Sequence, residues 1–389
     1  MADKSVFVDC FLSHNLGDDL FFFTLVSRYP KVNFTVYADR SYEYLSNRFP
    51  NVKLITSAES SSSRFGTADK IMRVCSAMRQ RIALIREADA MVTIGGSIYM
   101  ESKARGPKER LQRLYRSCKD ASYAKAAGHY FILGANFGPY YSQQYLDSYR
   151  RFFERRCDDV CFRETYSAGL FPSVKSVRSA PDVLFTADLP SVPKRRQAFF
   201  SVVDLDNDGK FGALRDRRRQ YEDWLLRSIN ECSQAGYDVV LASFSEPEGD
   251  VKAVSRLAEE ASRQGSDVQP LFYTDNMDEV LRELAASEIV VGTRFHATIL
   301  GLVAGARVLP IMYSDKTKHV LQDIDFDMAD AVDLKRTTDD ELAAVSPVRD
   351  AVAFDVHDVI AAAQCQFAAL DAFLGERESL SDRAATEEQ

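Results

Sequence analysis

One segment of the chain places a guanidinium and an imidazole directly after an apolar run. Gly292-Thr293-Arg294-Phe295-His296 follows Ile289-Val290-Val291. A guanidinium binds a carboxylate or phosphate through two parallel hydrogen bonds, and an imidazole exchanges a proton near neutral pH. In an extended segment Arg294 and His296 point to the same side, because side chains alternate along a strand. The pattern predicts an anion site with an acid–base group, and a buried structural Arg–His pair is the alternative.

Two neighbouring features favour the anion site. A helix that opens at Thr293 or His296 would direct its N-terminal N–H groups at the same ligand. Lys316 comes after the next apolar run, Val308 to Met312, and would add a positive charge. The histidines and cysteines of the chain show no spacing typical of metal ligands, so we expect no metal site.

Three glycine-containing turns follow apolar runs nearer the N-terminus. Glycine has no Cβ, so a ligand or another backbone can approach such a turn closely. Turns at one edge of a sheet would line a single crevice. The predicted binding residues in these turns are Asn15, Gly17, Gly95, Gly96, Ser97 and Asn136. For the first turn, ordinary capping of a helix by its Asn and Asp residues is the alternative.

Arg163 is a second arginine at the end of a short apolar strand, Val160-Cys161-Phe162. Its planar fork suits a carboxylate or phosphate. A side chain that leaves such a strand is expected to be exposed at the edge where ligands bind. We predict that Arg163 binds substrate, and a surface salt bridge is the alternative.

Apolar runs of strand length alternate with longer amphipathic stretches, which is typical of parallel sheets covered by helices. A polar segment with two prolines, Leu189 to Gln197, interrupts the alternation. We predict an α/β fold of two doubly wound Rossmann-like domains that face a central cleft, the GT-B-like architecture. The predicted parts are an N-terminal α/β domain (1–188), a C-terminal α/β domain (189–345), a C-terminal helix that packs back on the first domain (346–375) and a frayed tail (376–389).

Charge and composition restrict the partners. The formal net charge of −8 argues against nucleic acid, whose binding needs a basic surface. The N-terminus lacks the features of a signal peptide, and no apolar run is long enough to span a membrane. The cysteines are odd in number and scattered along the sequence, which fits a reducing compartment. We therefore expect a cytoplasmic protein that binds no nucleic acid.

Taken in order, these motifs resemble the pattern of the polysaccharide pyruvyl transferase family. The resemblance spans about residues 5–325 and rests on Asn15-x-Gly17-Asp18, Gly95-Gly96, Gly134-x-x-x-Gly138-Pro139, Arg163 with Ser167, Pro181-Asp182, and Arg294-x-His296 with Lys316. Two positions depart from the family: Ser97 stands where a third glycine is common, and Phe295 where leucine is usual. The resemblance implies transfer of pyruvate from phosphoenolpyruvate to two hydroxyls of one sugar, giving a cyclic ketal and free phosphate.

The resemblance also implies roles for the residues. His296 would be the general acid and Asp18 the base, and Arg294 and Arg163 would each hold an oxyanion of phosphoenolpyruvate from one domain. The first domain would take the acceptor and the second the donor phosphate. Phosphoenolpyruvate is a substrate, and no cofactor is expected. The acceptor would be a sugar, an oligosaccharide or a lipid-linked glycan, and a lipid-linked acceptor would bring the protein to the inner face of the membrane.

The same residues fit two other functions. A GT-B glycosyltransferase that uses a nucleotide sugar would also need a cation for its diphosphate. A non-catalytic glycan-binding member is the other alternative, although the joint presence of Arg163, Arg294 and His296 argues against it. The sequence gives no indication of the oligomeric state, and a cell-surface polysaccharide pyruvyl transferase is the expected function.

Overall fold

The structure is a computed structural model that describes residues 4–56, 67–104, 106–207 and 212–375. The described residues form two compact units, each with its own parallel sheet. The first unit contains residues up to 11, the stretch 22–183 and the segment from 364 onward, and the second contains 12–21 and 184–363. The predicted frayed tail, 376–389, lies outside the described residues.

The first unit is built on a seven-stranded parallel sheet. Its strands are β1 (Ser5–Asp9), β2 (Asn33–Ala38), β3 (Val52–Thr56), β4 (Ala90–Ile94), β5 (Tyr130–Ala135), β6 (Asp159–Phe162) and β7 (Val177–Ser179). They lie in the order β3-β2-β1-β4-β5-β6-β7. All residues of β4 and β5 are buried, as expected for central strands with helices on both faces.

Helices alternate with these strands. They are α1 (Leu16–Arg28), α2 (Tyr44–Arg48), α3 (Thr67–Glu87), α4 (Pro107–Ala126), α5 (Gln143–Arg156) and α6 (Thr165–Gly169). An aromatic core between α5 and the sheet includes Phe153, Phe162 and Phe171, and stabilises this half of the unit by burying large rings.

The second unit has a six-stranded parallel sheet. Its strands are β8 (Arg195–Ser201), β9 (Asp238–Ser243), β10 (Gln269–Phe272), β11 (Ser287–Gly292), β12 (Arg307–Met312) and β13 (Val332–Asp333). Their order is β10-β9-β8-β11-β12-β13. The helices are α7 (Arg218–Gln234), α8 (Asp250–Arg263), α9 (Met277–Ala286), α10 (Phe295–Val303), α11 (Asp315–Asp323), α12 (Asp339–Ala344), α13 (Pro347–Asp350), α14 (His357–Ala363) and α15 (Ala368–Leu374), the last of which belongs to the first unit.

Residues 12–21 were expected in the first domain, within 1–188, but they group with the second unit. The reason is backbone pairing: the Leu16 N–H donates to the carbonyl oxygen of Phe244 at 2.9 Å, and Asn15 forms an antiparallel bridge with Ser245. The turn before α1 is therefore fixed to the loop that follows β9.

The predicted C-terminal helix over 346–375 is wrong as a single helix. The segment contains α13, α14 and α15 with extended backbone between the first two, because Val352 pairs with Val308 of β12. Its last part does belong to the first unit. There the buried Gln366 donates to the carbonyl oxygens of Ala180 and Pro181 and accepts the Gly134 N–H at 3.0 Å.

Each sheet has one point where the strand order reverses, and ligands of doubly wound folds bind at the carboxyl ends of the strands there. In the first sheet this point lies between β1 and β4, and β4 is followed by Gly95 and Gly96. In the second sheet it lies between β8 and β11, and β11 is followed by Thr293 and Arg294.

Candidate functional site

The segment after β11 opens a helix at the reversal point of the second sheet. Arg294 has extended backbone and precedes α10, which begins at Phe295. The Arg294 N–H donates to Ser201 Oγ, at the end of the neighbouring strand β8, at 3.1 Å. The expectation of an extended segment through His296 is therefore wrong, because His296 is already the second residue of a helix.

The guanidinium of Arg294 is buried, with 5% of the residue exposed, and binds two carboxylates. Nε donates to Asp250 Oδ2 at 2.9 Å, Nη2 donates to Asp250 Oδ1, and Nη1 donates to Glu248. Burial by itself lowers the pKa of Arg294, but the carboxylates of Asp250 and Glu248 raise it above its ordinary value. Arg294 is a charged group in an arginine–carboxylate cluster, and this cluster replaces the buried Arg–His pair considered from the sequence.

Asp250 connects this cluster to the N-terminal turn. Its Oδ2 also accepts the N–H groups of Phe244 and Ser245 at 3.1 and 2.9 Å. Phe244 and Ser245 in turn pair with Leu16 and Asn15. The ion pair of Arg294 thus fixes the loop that positions the start of α1.

His296 packs directly against Gly17. A Cβ on Gly17 would lie 1.6 Å from Nδ1 of His296, so only glycine permits this approach. The rings of Phe21 and Phe295 form T-shaped contacts with the imidazole, with ring centroids 5.5 and 5.1 Å away. Asn15 supports the turn by accepting the Gly17 N–H through Oδ1 at 3.2 Å. The first and the last motif of the sequence are therefore in contact within the second unit.

Asp18, the predicted base, is partly buried in the first turn of α1, where the helix dipole favours a carboxylate. Its neighbour Asp19 is fully buried and accepts the Tyr273 hydroxyl at 2.7 Å. Lys316 is the second residue of α11, which follows β12, the strand next to β11. The carboxyl ends of parallel neighbours lie at one edge, so Lys316 belongs to the same edge as Arg294.

The remaining predicted residues come together in the first unit. Arg163 Nη2 donates to Asn136 Oδ1 at 2.8 Å, and its guanidinium lies so close to Gly96 that a Cβ there would be 2.6 Å from Nη1. Ser97 Oγ donates to the same Asn136 oxygen at 3.3 Å. Gly95 precedes them with a positive φ of 145°.

The expected exposure of Arg163 is wrong. Only 2% of the residue is exposed, because Nη1 pairs with Asp182 at 3.1 Å in a salt bridge that is itself buried. A charge can be buried here because a carboxylate neutralises it and Asn136 satisfies a further N–H. Substrate binding by Arg163 stays a prediction.

Several residues of these clusters were not foreseen as site residues: Ser201, Glu248, Asp250 and Asp182. Asp182 belonged to a motif of the resemblance but had no assigned role. Asp250 follows Gly249 at the start of a helix, a pattern that predicts a cap but gives no indication of a partner 44 residues away. Within the described ranges, no group of three or more His, Cys, Asp or Glu residues could hold a metal ion.

Comparison with known proteins gives a family and a set of similar folds. The family model named polysaccharide pyruvyl transferase matches residues 15–315, from Asn15 to the residue before Lys316. No curated protein matches the chain.

Solved structures are similar in fold at low sequence identity. HepE from Anabaena, crystallised with UDP and glucose, is 12% identical, with 93% of this chain and 94% of HepE covered and a TM-score of 0.52. A putative UDP-N-acetylglucosamine 2-epimerase from Listeria monocytogenes is 10% identical, with 97% and 98% covered and a TM-score of 0.59. UGT89C1 from Arabidopsis thaliana is 9% identical, with 96% and 100% covered and a TM-score of 0.53. These similarities confirm the predicted α/β fold of the GT-B type.

The contact between Gly17 and His296 can be tested by a double-mutant cycle. We expect Gly17→Ala to lower the free energy of unfolding by about 1–3 kcal/mol, because the new methyl group must displace the imidazole. In a His296→Ala background the same change should cost less than about 0.5 kcal/mol, since the obstacle is gone. Urea unfolding of the four proteins measures both values.

Gly169→Ala is the matched control, because nothing lies within 4 Å of a Cβ at that position. Equal costs of Gly17→Ala in the two backgrounds would contradict the contact.

Proposed function

The chain belongs to the polysaccharide pyruvyl transferase family, and on this premise we propose that it transfers pyruvate from phosphoenolpyruvate to two hydroxyls of one sugar. The acceptor is a cell-surface polysaccharide or its precursor, and the products are a pyruvate ketal and phosphate. The observation that carries the proposal is the contact of His296 with Gly17, which joins the two ends of the matched region at one sheet edge. Membership of this family indicates that the chain is a transferase. What we propose is the identity of the donor, phosphoenolpyruvate, and the formation of a ketal.

The first step needs an acid and a base. His296 gives a proton to C3 of phosphoenolpyruvate, which makes C2 electrophilic, and a sugar hydroxyl adds to C2. Asp18, next to Gly17 in the first turn of α1, takes the proton of that hydroxyl. In the second step another hydroxyl oxygen bonds to C2 while the C2–O bond to phosphate breaks. Phosphate leaves with the electron pair of that bond. Of the two hydroxyl protons, including the one that Asp18 had taken, one restores His296 and the other leaves on phosphate.

The donor is strongly anionic, with a charge of about −2.5 to −3 when its carboxylate is added to its phosphate. The second unit offers Arg294, Lys316 and the N-terminus of α10 at one edge of its sheet. Each can stabilise an oxyanion, and the helix does so through the positive end of its dipole.

Arg294 holds two carboxylates, so the donor must compete with one of them. Asp250 is fully buried and binds two N–H groups of the backbone besides Arg294, whereas the side chain of Glu248 is 23% exposed. We propose that an oxyanion of phosphoenolpyruvate takes the place of Glu248 at Nη1 while Asp250 keeps the guanidinium oriented. In this account Asp250 is a positioning residue.

A glycosyltransferase that uses a nucleotide sugar is the second candidate. It is favoured by the similarity of fold to HepE, whose structure contains UDP and glucose. A non-catalytic glycan-binding protein is the third. Both would release no phosphate from phosphoenolpyruvate, and the former would bind UDP better than phosphoenolpyruvate.

His296→Ala should reduce phosphate release from phosphoenolpyruvate by about 100-fold or more, because it removes the proton donor. The assay measures free phosphate with a panel of sugar acceptors, and circular dichroism verifies folding. His357→Ala is the control, since His357 is an exposed residue at the start of α14. Full activity of the His296 variant would contradict the mechanism.

The ligand of Arg294 can be identified by thermal-shift titration with phosphoenolpyruvate and, separately, with UDP. We expect Arg294→Lys to weaken phosphoenolpyruvate binding about 10-fold or more, since an ammonium cannot replace the fork. Glu248→Gln should strengthen it about 3-fold, because a competing carboxylate is removed. Glu259→Gln, a charge loss at an exposed position of α8, should change nothing. Stabilisation by UDP and not by phosphoenolpyruvate would favour the glycosyltransferase.

A further inference from the structure

Helix α4 exposes an apolar stripe. Leu111 is 67% exposed, Leu114 62% and Tyr115 43%, and Cys118 is exposed as well. These residues are spaced i, i+3, i+4 and i+7, so they occupy one face of the helix, about 100° wide. Large apolar residues arranged in this way on a surface mark a contact with something else.

The length of α4 explains why the described part of the unit leaves this stripe exposed. Twenty residues of helix span about 30 Å, whereas the six residues of the following strand, β5, span only about 20 Å. The end of α4 packs through the buried Tyr123 and Ala124 and continues into β5. The excess length therefore falls at the start of the helix, which lies at the carboxyl edge of the sheet because a crossover helix runs antiparallel to the strands.

The start of α4 is nevertheless held in place. Arg113 Nη1 donates to Glu101 Oε1 at 3.2 Å, and Arg116 Nη1 donates to the Met100 carbonyl oxygen at 3.0 Å. Burial by itself raises the pKa of Glu101, but hydrogen bonds from Tyr141 and Ser142 and the charge of Arg113 lower it below its ordinary value. These bonds turn Arg113 and Arg116 towards the unit, so the opposite face, with the apolar stripe, points away from it.

The surroundings of the stripe are basic. Of the six Lys or Arg of α4, Arg113 and Lys119 pair with Glu101 and Asp9, and Arg116 faces the unit. Lys108 and Arg110 are exposed and flank the stripe. Glu101 binds α4 through Arg113 and also accepts the Tyr141 N–H. Its neighbour Met100 and Tyr141 add apolar surface, since 42% and 47% of these residues are exposed.

We propose that the first three turns of α4 dock on an anionic lipid bilayer, with Leu111, Leu114 and Tyr115 at the boundary of the acyl chains and the basic residues at the headgroups. An apolar stripe with cationic flanks is the pattern of a helix that lies in a membrane interface. Lys and Arg near an anionic surface add attraction that salt weakens. No helix in the described ranges is long and apolar enough to cross a membrane.

Charge favours a bilayer over a second copy of this chain. A symmetric dimer through α4 would bring two surfaces of the same positive charge together, whereas anionic headgroups complement them. The inference does not rest on the proposed reaction, because bilayer binding requires neither donor nor acceptor. If both hold, docking would bring a lipid-linked acceptor to the carboxyl edge of the first sheet, where Gly95 and Gly96 lie.

Co-sedimentation of the full-length protein with vesicles tests the docking. We expect binding to vesicles of phosphatidylcholine with phosphatidylglycerol, at least about 10-fold weaker binding to phosphatidylcholine alone, and weakening by salt. The variant Leu111→Gln with Leu114→Gln should bind at least about 10-fold more weakly, since it loses the apolar contact. Lys108→Glu with Arg110→Glu should abolish the preference for the anionic lipid.

Tyr166→Ser is the matched control, because Tyr166 is an exposed aromatic residue of the first unit on α6. It should bind vesicles as the unchanged protein does. Circular dichroism and the melting temperature verify that each variant is folded. The proposal would be overturned if the unchanged protein did not bind anionic vesicles, or if the Leu variant bound them equally well. It would also be overturned if light scattering showed a dimer that the Leu substitutions convert to monomer while vesicle binding stays the same.

Discussion

The buried pair of Arg294 and Asp250 is the interaction on which the candidate site depends. Neither charge could be buried alone, because desolvation of an unpaired ion costs several kcal/mol. Paired with Arg294, Asp250 can also hold the N–H groups of Phe244 and Ser245, and this loop receives the turn before α1. The consequence is the close approach of Gly17 to His296. One ion pair thus determines the position of two motifs that lie at opposite ends of the matched region.

The first unit also contains a buried pair of an arginine and an aspartate, Arg163 and Asp182. Arg163 leaves a strand end, pairs with the buried Asp182 and lies against Gly96, so that an arginine again fixes a glycine turn at the reversal point of a sheet. In both units the guanidinium is bound by protein oxygen atoms, those of Asp250 and Glu248 for Arg294 and those of Asp182 and Asn136 for Arg163. The two arginines therefore stabilise the turns around them. Any binding of substrate by these side chains would be a second role.

Much of the fold follows from the sequence because its patterns are local. The apolar runs Val160–Phe162, Ile289–Val291 and Val308–Met312 lie within strands β6, β11 and β12, and the GT-B type of fold was predicted correctly. The long-range features could not be predicted. No local pattern indicates that Arg294 selects Asp250, that Arg163 is buried, or that Val352 pairs with Val308 and so divides the predicted C-terminal helix. These outcomes depend on which charges and edges meet after the chain has folded.

We propose that this chain forms a pyruvate ketal on a glycan. The most direct measurement compares the surface glycan of cells that produce the protein with that of cells that lack it, by mass spectrometry and by the methyl signal of the ketal in proton NMR. We expect a pyruvate ketal on one sugar of the repeating unit only when the protein is present. Identical glycans in the two strains, or a difference of a whole sugar residue in place of pyruvate, would contradict it.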